Sequence, residues 1–153
     1  MRHISAALAL MALAACGPSP SNAPSQPSAP APSPAEMQAA VAALPAPYNQ
    51  ANYEDGRRVF AQCRSCHTIV AGGPNLIGPN LHGVVGRRAG SLQEFTYSQP
   101  MQHADFTWDA EHLDRWIANP QSFMPGTRMS FAGVRDETQR RDVIAYVMVE
   151  SAK

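Results

Sequence analysis

Cys63-Arg64-Ser65-Cys66-His67 brings two thiols and an imidazole into one short run of the chain. Two cysteines three residues apart share one side of a helix, so both thiols can form thioethers to the vinyl groups of a single haem. His67, the next residue, then offers a ring nitrogen to the iron. Two other chemistries use such spacing. A zinc site needs four ligands, and the chain holds neither a second cysteine pair nor a His-x-x-x-His partner. A thiol–disulfide redox pair calls for a preceding strand and an α/β pattern, and neither is present. Covalent attachment of one haem c through Cys63 and Cys66 is the reading these residues favour.

The elements that must position this run are helical. Val59, Phe60, Cys63, Cys66 and His67 recur at helical spacing, which places the attachment residues on the apolar face of a first helix. Glu54 and Asp55 precede that helix and suit its positive end. Gly56 forms helix poorly and implies close approach of another backbone. The glycines and prolines of 71–90 read as a long loop. A second helix is expected after Thr107 as N-cap, with Leu113, Trp116 and Ile117 as its stripe and Asn119-Pro120 as its stop. A third is expected from about Asp136 to Ala152, burying Val143, Tyr146 and Val147. No run alternates as a strand would. The domain is therefore expected to be all-α, with three main helices and long loops around a haem that replaces part of the apolar core.

The chain has 153 residues, with 12 basic and 12 acidic side chains, so no net charge draws it towards nucleic acid or anionic lipid. At 16% charged and 44% hydrophobic, it is no highly charged disordered polymer. Three cysteines are too few for a disulfide scaffold. Arg2 followed by the apolar run Ile4 to Ala15 has the build of a secretory signal and is shorter than the roughly 20 residues that span a bilayer. The following residues, Leu13-Ala14-Ala15-Cys16-Gly17, resemble a bacterial lipobox, in which cleavage leaves a lipid-bearing cysteine at the new N-terminus. The other reading is ordinary cleavage after a small residue, with Cys16 as a free thiol. Nine of the 14 prolines lie between Pro18 and Pro47, in a stretch of Pro, Ala, Ser, Gln and Asn. Such a composition buries too little surface to offset its ordering entropy, so 16–47 is expected to be a semi-extended tether from a lipidated Cys16. The signal would then be 1–15 and the folded domain 48–153.

From about Tyr53 to Tyr146 the domain resembles a class I c-type cytochrome, similar to mitochondrial cytochrome c and the bacterial cytochromes c2. The resemblance rests on Cys63 to His67, Gly78-Pro79-Asn80-Leu81-His82-Gly83, Gly86-Arg87, Phe95-Thr96-Tyr97, Trp108 and Pro125-Gly126-Thr127-Arg128-Met129, in that order. It implies His67 and Met129 as axial ligands of the iron. It implies that the Pro79 carbonyl accepts a hydrogen bond from the other nitrogen of His67 and fixes its tautomer. Arg87, Tyr97 and Trp108 match the residues that hold the haem propionates, and Gly56 and Phe60 would cross the last helix against Val143 and Tyr146. Met124, Met148 and Met101 are rivals of Met129. Met124 matches an apolar family position and is read as packing, as is Met148. His82, His103 and His112 are read as surface or hydrogen-bonding residues. Trp116 stands at the position of a family tyrosine near the methionine ligand.

Filling both axial positions leaves no vacant site for substrate, and a soft Met sulfur favours the reduced iron. The resemblance thus implies a one-electron carrier and no enzyme, a monomer whose partners are redox proteins such as a quinol–cytochrome c reductase and a terminal oxidase or reductase. Two alternatives stay open: a haem peroxidase or gas sensor with a labile methionine, using His82 or Arg128, and a fixed haem subunit of a larger respiratory complex. Charge departs from the mitochondrial relatives, with Lys153 as the sole lysine. Arg57, Arg58, Arg64, Arg87 and Arg88 occupy 56–90 without an acid, and Glu94, Asp105, Asp109, Glu111 and Asp114 occupy 91–114 without a base. This reads either as a dipole steering an acidic partner to the haem edge or as charge scattered over a solvated surface.

Overall fold

The computed structural model describes residues 31–153, so the expected signal, Cys16 and the first half of the tether lie outside the described residues. The described chain contains no strand and is helical, as expected. Its helices are α1 (Pro34–Ala42), α2 (Tyr53–Phe60), α3 (Gln99–Gln102), α4 (Ala110–Ala118), α5 (Pro120–Phe123) and α6 (Glu137–Glu150), with a 3₁₀ turn at Tyr48–Gln50.

The crossing of α2 on α6 forms the framework. A Cβ at Gly56 would lie 2.2 Å from the Asp142 carbonyl oxygen and 2.9 Å from the Tyr146 Cβ, so only glycine lets the two backbones approach this closely. Phe60 packs on Tyr146 with ring centroids 5.0 Å apart, beside the buried Val143 and Ile144. The Asp142 carboxylate, 3% exposed, accepts from the Asn52 N–H at 3.1 Å and ties the start of α2 to α6. α6 begins at the Asp136 cap, close to the expected boundary. Arg140 reaches from α6 to Asp114 at 2.6 Å and fixes α4 beside it.

Three expectations need correction. The tether does not run to Pro47. Ser33 and Glu36 form a reciprocal capping box, Pro34 supplies the first turn, and α1 follows. Met37 and Val41, one turn apart, bury against the domain at 6% and 0% exposure. The Gln38 amide donates to the Ala51 carbonyl and accepts from the Tyr53 N–H, both at 2.9 Å. Residues 34–47 thus belong to the folded unit. A stretch too poor to form its own core is held by one made elsewhere.

The cysteines, secondly, follow the first helix and do not sit on it. α2 ends at Phe60, and the chain continues in tight turns: the Cys63 N–H donates to the Phe60 carbonyl at 2.8 Å and the Cys66 N–H to the Cys63 carbonyl at 3.0 Å. Bonds spaced by three residues eclipse positions 63 and 66, so both thiols still share one side. Thirdly, Asp109 caps α4, not Thr107. Residues 106–108 are engaged in extended pairing with 87–89, through Ala89 N–H to the Phe106 carbonyl and Trp108 N–H to the Arg87 carbonyl, both 2.9 Å, so the helix starts only after them.

Candidate functional site

A cavity of ≈ 780 Å³ opens between α2, α4, α6 and the loops that join them. Its size falls within the range of cofactor pockets. Cys63, Cys66 and His67 line it from the turns after α2, and Met129 from the loop between α5 and α6. Arg87, Tyr97 and Trp108 also line it, brought there by the paired 87–89 and 106–108 segments and the loop before α3. Phe60, Leu113, Trp116, Val143 and Val147 make the inner wall apolar. The fold therefore gathers into one cavity all the residues predicted to hold the haem, Pro79 included.

His67 is held from two sides. Its Nδ1 lies 2.7 Å from the Pro79 carbonyl oxygen. A carbonyl only accepts, so Nδ1 carries the proton and Nε2 keeps a free lone pair. Burial pushes the His67 imidazole towards its neutral form, against the opposing pull of the Pro79 bond. Gly78 passes beneath the ring, where a Cβ would lie 2.3 Å from Cε1. Burial, and then the neighbouring Cys66, raises the Cys63 thiol to about 11, so the free thiol stays protonated at neutral pH. Among the described residues no group of three or more His, Cys, Asp or Glu gathers to hold a metal ion.

The donor set fits a haem. Arg87 is half-buried and donates to the carbonyls of Asn80 and His82, both at 3.1 Å, and among the described residues no carboxylate pairs with it. Burial lowers its hold on its proton and the nearby Tyr97 opposes that shift, while burial raises the Tyr97 phenol and Arg87 opposes. A guanidinium without a counter-ion, beside a phenol, at the edge of an apolar slot suits a propionate-bearing disc.

The cytochrome c family profile matches residues 53–149, which contain this cavity. The chain belongs to the cytochrome c family. Its cofactor is accordingly one haem c, attached covalently, for which Cys63 and Cys66 supply the two thiols. The cytochrome is 37% identical over 106 residues to cytochrome c of Kluyveromyces lactis, covering 69% of this chain and 96% of that one. It is 40% identical over 107 residues to cytochrome c2 of Blastochloris viridis, covering 70% and 84% respectively. Against cytochrome c2 of Rhodomicrobium vannielii it is 35% identical over 116 residues, 76% of this chain and 93% of the relative.

Sequence reasoning named Met101 only as a rival of Met129 and missed the part played by Asn80. Met101, buried at 6%, lines the cavity with Met129, so the cytochrome carries a second thioether in its crevice. Nothing in the sequence distinguishes it from ordinary packing. Asn80, 9% exposed, is the hub of the loop that carries Pro79: its amide donates to Thr68 Oγ1 at 2.6 Å, to the Gly73 carbonyl at 2.8 Å and to the Val70 carbonyl at 3.0 Å. Met124 is buried away from the cavity lining, as expected for packing. His82 does not line the cavity, and its Nδ1 is buried without a partner. The arginine block is largely neutralised locally. Arg57 pairs with Glu54 at 2.8 Å, Arg58 with Asp55, and Arg88 approaches Asp105 at 3.8 Å, which disfavours a strong steering dipole.

Proposed function

We propose that this cytochrome is a lipid-tethered one-electron carrier on the periplasmic side of a bacterial envelope, working between a quinol-oxidising complex and a terminal oxidase or reductase. The observation that carries the reading is the pairing of lining residues: His67 is the one imidazole and Met129 a thioether of the same apolar cavity, with no carboxylate among its walls. When bound, haem c supplies reversible one-electron chemistry at iron. His67, its Nδ1 turned to the Pro79 carbonyl, would hold the haem iron through Nε2, and Met129 would hold it through its sulfur. Arg87, Tyr97 and Trp108 would hold the propionates. The apolar wall excludes water and disfavours the extra positive charge of the oxidised state. Of the two residues a peroxidase or sensor would use, His82 lies outside the lining, and Arg128 lies within it but donates to the Thr96 carbonyl, which favours a carrier that makes no product of its own.

The tether runs from a lipidated Cys16 to the Ser33 cap of α1. Anchoring raises the local concentration of partners in the same envelope. No helix of the described residues is long and apolar enough to cross a membrane.

Reduced spectra with and without carbon monoxide test the carrier reading. A low-spin spectrum indifferent to carbon monoxide is expected, and a clear shift would replace the carrier with a sensor or peroxidase. Cys16→Ser is expected to release the protein from the membrane fraction, and retention there would remove the lipid anchor from the proposal.

A further inference from the structure

The Pro79–Asn80 peptide group is hydrogen-bonded at both ends. Its carbonyl oxygen lies 2.7 Å from His67 Nδ1, and its N–H donates to Asn75 Oδ1 at 2.8 Å. The half-buried Asn75 in turn donates from Nδ2 to the Glu94 carbonyl at 3.1 Å. An imidazole, a backbone amide, a side-chain amide and a backbone carbonyl therefore form one chain in which every donor points the same way. In such a head-to-tail chain each bond polarises the next and strengthens it, by roughly 10–30% per bond. Donation by the Asn80 N–H pushes electron density onto the Pro79 oxygen, which then draws harder on the Nδ1 proton of His67.

The frame that holds this peptide is built without Asn75. On either side of the His67–Pro79 pair the Gly78 N–H donates to the Cys66 carbonyl and the Leu81 N–H to the Thr68 carbonyl, both at 2.8 Å. The buried Asn80 side chain donates to Thr68 Oγ1 and to the carbonyls of Val70 and Gly73, and accepts from the His82 N–H at 2.6 Å. A Cβ at Gly73 would lie 2.7 Å from Asn80 Nδ2 and 2.8 Å from Thr68 Oγ1, so glycine leaves room for that pair. Arg87 Nη2 donates to the Asn80 carbonyl at 3.1 Å. The position of the Pro79 carbonyl is thus fixed by other bonds, and what Asn75 adds is the strength with which that carbonyl accepts.

We propose that Asn75 is a positioning residue for His67: acting through the Pro79–Asn80 peptide, it sets how far Nδ1 shares its proton, and with it the reduction potential. The proposal rests on the reading of His67 as a ligand of the haem iron in a one-electron carrier. A stronger pull on the Nδ1 proton makes Nε2 a better donor to the iron, which favours the oxidised state. Asn75 therefore works against the apolar wall and the Met129 thioether, which favour the reduced state.

Two substitutions in the Cys16→Ser holoprotein test this, read by the proton–nitrogen NMR signal of His67 Nδ1 in the reduced protein and by voltammetry. Asn75→Leu, close to asparagine in size, removes both hydrogen bonds and keeps water from replacing them. Its Nδ1 proton is expected to move upfield, and the oxidised-to-reduced ratio at a fixed applied potential to fall by about twofold. Asn75→Asp keeps the acceptor for the Asn80 N–H and loses the donor to Glu94, so its Nδ1 proton is expected to stay in place or move downfield. Should the leucine variant not fold, Asn75→Ala carries the same expectation with a smaller shift, because water can take the vacated place. A leucine or alanine variant whose Nδ1 signal and potential match the parent overturns the proposal. So does an upfield shift of equal size in the aspartate variant, which would leave Asn75 only the task of tying its loop to Glu94. Failure of the carrier reading looks different: the parent itself would give no reversible one-electron wave, whatever residue stands at position 75.

Discussion

The His67 ring is clamped between the Pro79 carbonyl, 2.7 Å from Nδ1, and the bare α-carbon of Gly78. The carbonyl fixes which nitrogen is free, and the glycine fixes where the ring lies. Gly78→Ala therefore forces the ring aside, because a Cβ would sit 2.3 Å from Cε1. Haem attachment through Cys63 and Cys66 is expected to survive. The low-spin visible spectrum is expected to give way partly to a high-spin one, with a stability loss of about 1–3 kcal/mol. An unchanged spectrum and reduction potential would show that the ring has room the geometry denies it.

Gly56 makes the analogous test of the framework. Its alanine variant meets the Asp142 carbonyl, a backbone atom held inside α6, and the Tyr146 Cβ. Neither can rotate away. A loss of about 3 kcal/mol is expected, seen as a lowered midpoint in denaturant at unchanged slope. A loss below 1 kcal/mol would mean that the crossing of α2 on α6 tolerates separation.

The two crevice methionines separate by function. Met129→Ala is expected to leave the haem attached and make the reduced protein bind carbon monoxide. Met101→Leu, a near-isosteric change in a buried position, is expected to keep the low-spin spectrum and cost less than about 1.5 kcal/mol. The reverse pattern would assign the ligand to Met101.

α1 yields a prediction in both packing and pH. Val41 is fully buried, so Val41→Ala is expected to cost about 2 kcal/mol in denaturant unfolding. Glu36 is held below the usual carboxylate range by hydrogen bonds from the Ser33 backbone N–H, then the Ser33 hydroxyl. A carboxylate whose folded value is depressed adds stability above its unfolded value and loses it as pH falls through the folded one. The N-terminus of α1 is therefore expected to fray in acid, and Glu36→Gln to remove that part of the pH dependence. Amide hydrogen exchange at Met37 and Gln38 reads it directly. Protection that does not change with pH would exclude the carboxylate from the cap.

What the sequence determined by itself was chemistry carried by neighbours. The spacing of Cys63, Cys66 and His67 sets the thioether geometry within a single turn, and the stripe of α6 and its Asp136 cap are read within a few residues. The α1 capping box, Ser33-Pro34-Ala35-Glu36, was passed over inside the expected tether, and by itself it could not say that α1 docks. Nine residues with two buried side chains gain their place only from the surface α2 and α6 present to them, because burial depends on what covers a residue. Tertiary structure likewise decided that Thr107 is engaged in a strand-like pairing, that Met101 enters the crevice, and that Arg88 comes near Asp105, whereas the pairing of Arg57 and Arg58 with Glu54 and Asp55 is local to α2. Charge counted along a chain gives its order, whereas the field a partner meets is set by distance in space, which folding alone fixes.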